Sequence, residues 1–402
     1  MKIMEGFINF WVNGILTCLV VVGGIFLNSI SIYIIWKKYN KSSIFYQMLL
    51  RLLCIDIFVL VTWFTFSLYV AFKVEHKVML YIIAYIIYPF VHVALSASTF
   101  MTIAISHERY LAVKYPIKYT EDMRVPHVLT RRLWTYTITV ILVSVIYNLT
   151  YFLEVKVTFG TISNNTAIEL QSRINVTQAD VMGNIKHQTI FSDDSSSDYV
   201  IFLDRTTLGK NEDYLKYYMF VTRLIISGIV PFVLLTYFNI EIFRAIKKNN
   251  RLRRRLTLSQ PLSRLMSVQS AGCESLDSGF SNVTNSLSTA SSIASRKRQE
   301  EDNLAMVFVV MVVAFLFCNS LKFGLNFYDG IVGKDKAEEW YRIISSFSNL
   351  LVLINSSMNM VIYCILNIKF RRHLIELMKG FIPGEKVHKS SRRSIQTNGS
   401  MR

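Results

Sequence analysis

Apolar residues in this chain come in long runs separated by short polar stretches. Seven runs stand out, at about 11–36, 44–72, 80–113, 130–153, 217–246, 303–328 and 340–366. Each reaches the ~20 residues that cross a bilayer core. A backbone in lipid must satisfy its own hydrogen bonds, which selects helices. The pattern predicts an all-α membrane protein, a seven-transmembrane helix bundle over 11–366. The first run is too long and starts too near residue 1 for a cleaved signal peptide, so it reads as an uncleaved signal-anchor. A different pattern follows the seventh run. From Asn367 to Lys379, the apolar Phe370, Leu374, Ile375 and Leu377 interleave with Lys369, Arg371, Arg372 and Lys379. This predicts an amphipathic helix over 367–380 lying on the cytoplasmic membrane surface. Residues 1–10 are then a short outer segment and 381–402 a cytoplasmic tail.

Composition agrees. The chain is 52% hydrophobic and only 18% charged, against about 25% charge in an ordinary soluble domain. A soluble enzyme does not fit. The net charge of +17 is segregated by loop, so it points to membrane topology rather than to nucleic acid. With the N-terminus outside, the cytosolic stretches hold 29 Lys and Arg and the outer stretches 12. That asymmetry follows the positive-inside rule; the reverse orientation breaks it at almost every loop.

Two loops are long. The outer one, 154–216, is polar and acidic and carries sequons at Asn164 and Asn175, on the side where glycosylation occurs. The cytoplasmic one, 247–302, opens on Arg251, Arg253, Arg254 and Arg255 and continues through a Ser-rich stretch that cannot build a core. The five cysteines are Cys18, Cys54, Cys273, Cys318 and Cys364; they lack metal-site spacing. No internal repeat argues for a transporter.

Polar groups inside spans are expensive and mark function by default. Asp56 is the one carboxylate deep in a run; Asn28, Ser98, Asn319, Asn355, Ser356 and Asn359 are other mid-span polar residues. Such an oxygen-rich set suits a small hard cation. It equally suits interhelical hydrogen bonds that only hold the bundle together. Glu108, Arg109 and Tyr110 end the third run. Arg109 is either an interfacial anchor or a partner for a carboxylate on another helix, with Glu301 the candidate. Arg51 has two options, a cation–π contact with Trp134 or the headgroups.

These residues together resemble a rhodopsin-like (class A) G protein-coupled receptor. The resemblance covers all seven helices and the surface helix. Asn28 resembles the first-helix asparagine and Asp56 the second-helix aspartate. Glu108-Arg109-Tyr110 resembles the Asp-Arg-Tyr motif, with Pro116 and Ile117 following. Trp134, Pro231, Phe315 with Cys318, Asn359 through Tyr363, and Phe370 complete the series in order. Asn355-Ser356-Ser357-Met358-Asn359, Tyr88-Pro89-Phe90, Phe152-Leu153-Glu154 and Asn239 after Pro231 are similar to invertebrate neuropeptide receptors of the FMRFamide-receptor type.

The resemblance implies a non-enzymatic plasma-membrane receptor with a peptide ligand, activating a heterotrimeric G protein by outward movement of the sixth helix. It implies a sodium pocket at Asp56, Ser98, Asn355, Ser356 and Asn359, with sodium, held by Asp56 and Ser98, the sole cofactor. It also implies an inactive-state lock of Arg109, Glu108 and Glu301, and a G protein contact through Arg109, Tyr363 and Ile117. Arrestin and receptor kinases are implied partners of the Ser-rich loop. His92, Arg223, Asn319 and Lys322 are the ligand-pocket candidates. Val91 stands where amine receptors carry an aspartate, which disfavours an amine.

The departures matter equally. Asn319, Ser320 and Leu321 replace the sixth-helix tryptophan and proline, which removes the proline kink. Met360 replaces the seventh-helix proline, and Asn239 a fifth-helix tyrosine that would meet Tyr363. Ala84 stands at the usual cysteine, and residues 154–216 contain none, so another device ties the loop down or it moves freely. The rival reading is a decoy, scaffold or constitutive seven-helix protein with weak coupling.

Overall fold

The computed structural model describes residues 7, 9–39, 44–72, 77–161, 188–191, 199–211, 213–270, 303, 305–328 and 339–381. Glu301, Asn164 and Asn175 lie outside them. Six helices are long and apolar enough to cross a membrane: Phe10–Tyr39, Ile44–Leu68, Val78–Lys114, Pro126–Glu154, Tyr214–Arg251 and Ala305–Tyr328. The seventh span is a pair, Ile343–Ser357 and Asn359–Leu366, bent by 50°. The amphipathic helix follows at Ile368–Phe381. The chain is thus a multi-span membrane protein.

Lipid replaces water around this bundle, so its outer face is apolar by rule. Leu19, Phe26, Trp36, Ile146, Phe317 and Ile365 all point outward and are well exposed. The interior holds both apolar and polar groups. A large cluster fills the half nearest the basic loops, with Leu49, Leu53, Met101, Ile105, Leu235, Phe308 and Tyr363 buried together. A smaller one of Val21, Leu60, Trp63, Val91 and Leu353 lies toward the other end.

Local chemistry explains the helix irregularities. Pro231 has no backbone N–H to give, and the turns before it widen to π-helix over Leu224–Ile229. The sixth span runs unbroken, as Leu321 in place of proline predicts. The seventh bends without any proline. Its break falls at Met358, beside Ser356, whose carbonyl accepts Asn28 Nδ2 at 2.9 Å. A side chain competing for the ladder is a recognised cause of a kink. Asn367 leaves the helix with an extended backbone. Its side chain accepts the Phe370 N–H at 3.1 Å, starting the surface helix. Phe370 then packs on Tyr363, ring centroids 5.6 Å apart.

The 154–216 loop contains strands. β1 (Val155–Thr161), β2 (Gln188–Phe191) and β3 (Tyr199–Arg205) form an antiparallel sheet in the order β1-β3-β2, with Val155 opposite Arg205 and Gln188 opposite Phe202. The fifth helix continues past the apolar run as far as Ser270, so the Ser-rich loop opens as helix rather than coil.

Two glycines permit close helix packing. A Cβ at Gly24 would lie 2.1 Å from Ser357 Oγ, and one at Gly228 only 2.5 Å from the Phe323 ring. Gly23 faces open space. Gly228→Val therefore forces the fifth and sixth spans apart, at roughly 1–3 kcal/mol for overpacking. The expected outcome is a melting point several degrees lower for the purified protein, with Gly23→Ala unchanged as the control.

Candidate functional site

Three groups of sequence-predicted residues occupy three levels of the bundle. The middle level centres on Asp56, 1% exposed on the second span. Ser98 Oγ donates to its Oδ1 at 2.7 Å and Asn359 Nδ2 to its Oδ2 at 2.7 Å. Ser356 is a further hydrogen-bonding neighbour. The first span joins through Asn28 and the Ser356 carbonyl. Asn28 Oδ1 is buried without a hydrogen-bond partner. The donor set of carboxylate, hydroxyls and amide oxygens, with one orphan acceptor beside it, fits a small hard cation.

The second level, toward the sheet, gathers all four pocket candidates. His92, Arg223, Asn319 and Lys322 line one cavity of about 90 Å³, which continues to Ser98, Asn355 and Ser356. Arg223 comes within 3.3 Å of His92 Nδ1. Arginine has no acceptor, so Nδ1 accepts and the imidazole is neutral. His92 stacks on Tyr151 at 3.9 Å and 7°, and the Arg223 guanidinium lies 5.3 Å from the same ring. Asn319 is turned back on its own helix, donating to the Phe315 carbonyl at 2.9 Å.

This level also resolves the fate of the cysteine-free loop. Ala84 is buried among Phe66, Leu80, Ile83, Tyr88, Tyr151 and Val155. Tyr88 Oη donates to Glu154 at 3.3 Å. Thr206 closes the far end of the loop, its N–H donating to the Glu154 carbonyl at 2.9 Å and its hydroxyl to that of Leu153 at 2.6 Å. Packing and hydrogen bonds therefore take the position of a disulfide. Glu154 and Tyr151 were not expected as neighbours of the cavity residues His92 and Arg223. Tyr151 precedes and Glu154 ends a motif read only for family likeness, and nothing in the sequence marked their partners.

The third level, at the basic end, departs from the expected lock. Glu108 is fully buried, but its partner is Arg132 of the fourth span, Oε2 to Nε 3.3 Å. Arg109 turns away to the second span. Its guanidinium lies 4.4 Å from the Phe45 ring, and it donates to Tyr119 Oη at 3.4 Å. Burial pushes the Tyr119 phenol well above its ordinary range, so it stays a neutral hydroxyl. The neighbouring Glu108–Arg109 pairing is corrected accordingly: adjacent helical residues point to different sides, and each found a partner across a helix interface. Glu301 lies outside the described residues. Tyr110 packs against Phe238 at 5.6 Å, and Ile117 is exposed on the short helix Pro116–Met123. Tyr363 Oη and both amide atoms of Asn239 are buried with no hydrogen bond. Arg51 takes the aromatic option, 5.2 Å from the Trp134 ring.

The description "7 transmembrane receptor (rhodopsin family)" matches residues 203–363. An FMRFamide receptor of Drosophila melanogaster is 26% identical over 382 residues, 91% of this chain and 53% of that relative. Over that stretch, and in the order of its spans, the chain is similar to the rhodopsin family of seven-transmembrane receptors. It spans about half the length of the curated relative it matches. Within the family pattern, Arg132 is the residue that sequence reasoning missed, since a contact between the third and fourth spans leaves no mark on local spacing.

The Glu108–Arg132 pair yields a direct test. Arg132→Ala strands a buried carboxylate, whereas Arg132→Ala with Glu108→Gln does not. A double-mutant cycle by thermal melting is expected to give a coupling energy on the order of 1–2 kcal/mol, with the double variant more stable than Arg132→Ala alone.

Proposed function

We propose that this chain is a rhodopsin-family receptor that sits in the plasma membrane with its N-terminus outside and takes an extracellular peptide. Binding activates a heterotrimeric G protein at the basic end through outward movement of the sixth span. One observation carries the reading: a single cavity joins His92, Arg223 and Lys322 to Ser98, Asn355 and Ser356 beside Asp56. Ligand contact and the polar centre of four spans thus share one space. At about 90 Å³ that space is well below the ~300–1,000 Å³ of sites that engulf a ligand, so a peptide must favour a wider state over this one. That differential is what activation requires. The FMRFamide receptor relative supports a neuropeptide as ligand.

At the basic end, Arg109, Tyr110, Ile117 and Tyr363 are the coupling residues. In the closed state Phe45 and Tyr119 hold Arg109. The unpaired Tyr363 hydroxyl and Asn239 amide form a reserve of buried hydrogen-bonding capacity, expensive where unmet, that a rearranged bundle can satisfy. Arrestin and receptor kinases act on the Ser-rich loop, and Asn164 and Asn175 are the glycosylation sites. A sodium ion would be held by Asp56 and Ser98, with Asn355, Ser356 and Asn359 around it, and would supply charge balance for the buried carboxylate. The rival, a weakly coupling receptor, rests on the sixth span running straight through Asn319 and Leu321.

Two experiments test this. In cells expressing a promiscuous Gα with a calcium reporter, a library of amidated neuropeptides is expected to give a hit that Arg109→Ala reduces to background while surface expression holds. Silence from a well-expressed receptor, or a hit that Arg109→Ala leaves intact, favours the rival. In purified receptor, exchanging choline chloride for sodium chloride is expected to raise the melting point by a few degrees, and Asp56→Asn to abolish that difference.

A further inference from the structure

One charged residue of the second span belongs neither to the polar centre nor to the groups at either end of the bundle. Arg51 lies seven residues past Ile44, the first residue of its helix, about 10 Å along the axis. Asp56, the other charge of this span, is turned inward to Ser98 and Asn359. Arg51 is half-buried on a different face, the one that also carries the exposed Cys54 and Phe58. Its side chain runs back along the helix, and Nη1 donates to the Gln47 carbonyl at 3.2 Å. The guanidinium is thereby carried toward the basic loops. There it lies 5.2 Å from the ring of Trp134 on the fourth span, a tryptophan that is itself 53% exposed. Among the described residues no carboxylate pairs with Arg51, and its electrostatic neighbour is the Cys54 thiol. Glu108, the buried acid of the adjoining third span, belongs to Arg132.

A guanidinium keeps its charge in a protein, and a lone charge inside a span is costly. The stack on Trp134 occupies one face of the group and Gln47 one N–H, which leaves the rest of the fork for a further acceptor. A planar cation stacks on a ring and grips an oxyanion with its edge at the same time, and phosphate matches the fork. Arg131 lies three residues before Trp134, one turn nearer the basic loops, and is exposed like it. That spacing places both on one helix face, so a second cation stands on the same side. Farther from the basic loops the exposed side chains on these faces are apolar: Phe58 on the second span, Ile138 and Leu142 on the fourth. Positive charge near the headgroups with apolar walls beyond it is complementary to an anionic phospholipid, phosphate against the guanidinium and acyl chains along the walls.

We propose that the surface between the second and fourth spans at the basic end binds one anionic phospholipid, its phosphate held by the Arg51 guanidinium stacked on Trp134. With the orientation read from the Lys and Arg counts, on which this clause rests, the lipid comes from the cytoplasmic leaflet. A zwitterionic lipid brings its own cation toward Arg131 and binds less well.

The test counts bound lipid and reads neither ligand nor G protein, so its failure is separate from failure of the receptor reading; detergent micelles also remove any dependence on orientation. The full chain, purified in detergent, is titrated with single lipids and followed by native mass spectrometry. Dioleoylphosphatidylserine is expected to fill a first site at lower concentration than dioleoylphosphatidylcholine. Arg51→Gln is expected to weaken that site roughly tenfold, the loss of hydrogen bonds to a charged partner. Arg51→Lys is expected to recover part of the loss, and Trp134→Leu to weaken the site as well. Both side chains are partly exposed, so these variants are expected to keep the parent's melting point. Lys248→Gln, at an exposed position of the fifth span, controls for general loss of charge and is expected to leave the first site unchanged. Glycerophosphate at equal concentration is expected not to compete. An unaltered first site in Arg51→Gln overturns the proposal, as do equal losses in Arg51→Gln and Lys248→Gln. Equal binding of the two lipids does the same, and so does competition from glycerophosphate, which marks a site for free phosphate.

Discussion

A buried carboxylate needs partners, and that need organises the middle of this bundle. Asp56 has almost no contact with solvent, and its two oxygens take donors from the third and seventh spans. The first span enters through Asn28 on the Ser356 carbonyl. Four helices thus converge on one group, and each must hold its rotation for the hydrogen bonds to form. The bend of the seventh span follows from the same demand. With Ser356 engaged by Asn28 and Asn359 turned to Asp56, the ladder breaks at Met358 and the helix changes direction by 50°. A proline is one route to that break, and a side chain competing for a carbonyl is another.

The two ends of the bundle solve different problems around this centre. At the sheet end a long polar loop must be held over a cavity without a covalent tie. Ala84 makes room for a packed aromatic cluster, and Tyr88, Glu154 and Thr206 fix the two ends of the loop. The same cluster forms the wall against which Arg223 and His92 stack. Loop anchoring and pocket shape are consequently one structure, and a change in either reaches the other. At the basic end the charged residues of the third span are separated rather than paired. Glu108 goes to Arg132 and Arg109 to Phe45 and Tyr119. Among the described residues Arg109 is therefore held by a ring face and a neutral hydroxyl, which are weaker constraints than an ion pair in the same place.

The seven spans and the surface helix were legible in the sequence because lipid imposes its rule one segment at a time. A run of some twenty apolar residues crosses a membrane whatever its neighbours are. Lys and Arg counts carry the expectation of which loops face inward for the same reason, since that constraint also acts loop by loop. The cost of polar groups in lipid drew attention to Asp56, Ser98 and Asn359, and the family resemblance to Arg223 and Lys322, before any geometry was in view. Family likeness in motif order then placed these residues at expected levels.

Tertiary structure alone decided who meets whom. Glu108 and Arg109 are adjacent in the chain, yet they diverge by about 100° around a helix, and their partners come from different spans. Arg132 is twenty-three residues beyond Arg109, with nothing in its spacing to announce the contact. The strands of the 154–216 loop were hidden because β pairing is settled across a chain gap rather than along one face of it. The charge balance of the cavity was hidden as well. Composition counts charges, but only the packed bundle shows that Arg223 and Lys322 line one cavity and that Glu154 lies within electrostatic reach of Arg223. By itself the sequence determined that this chain crosses the membrane seven times and where its costly polar groups lie, because lipid acts on each segment alone. The folded bundle decided how those groups pair, because pairing depends on helix rotations that no single segment encodes.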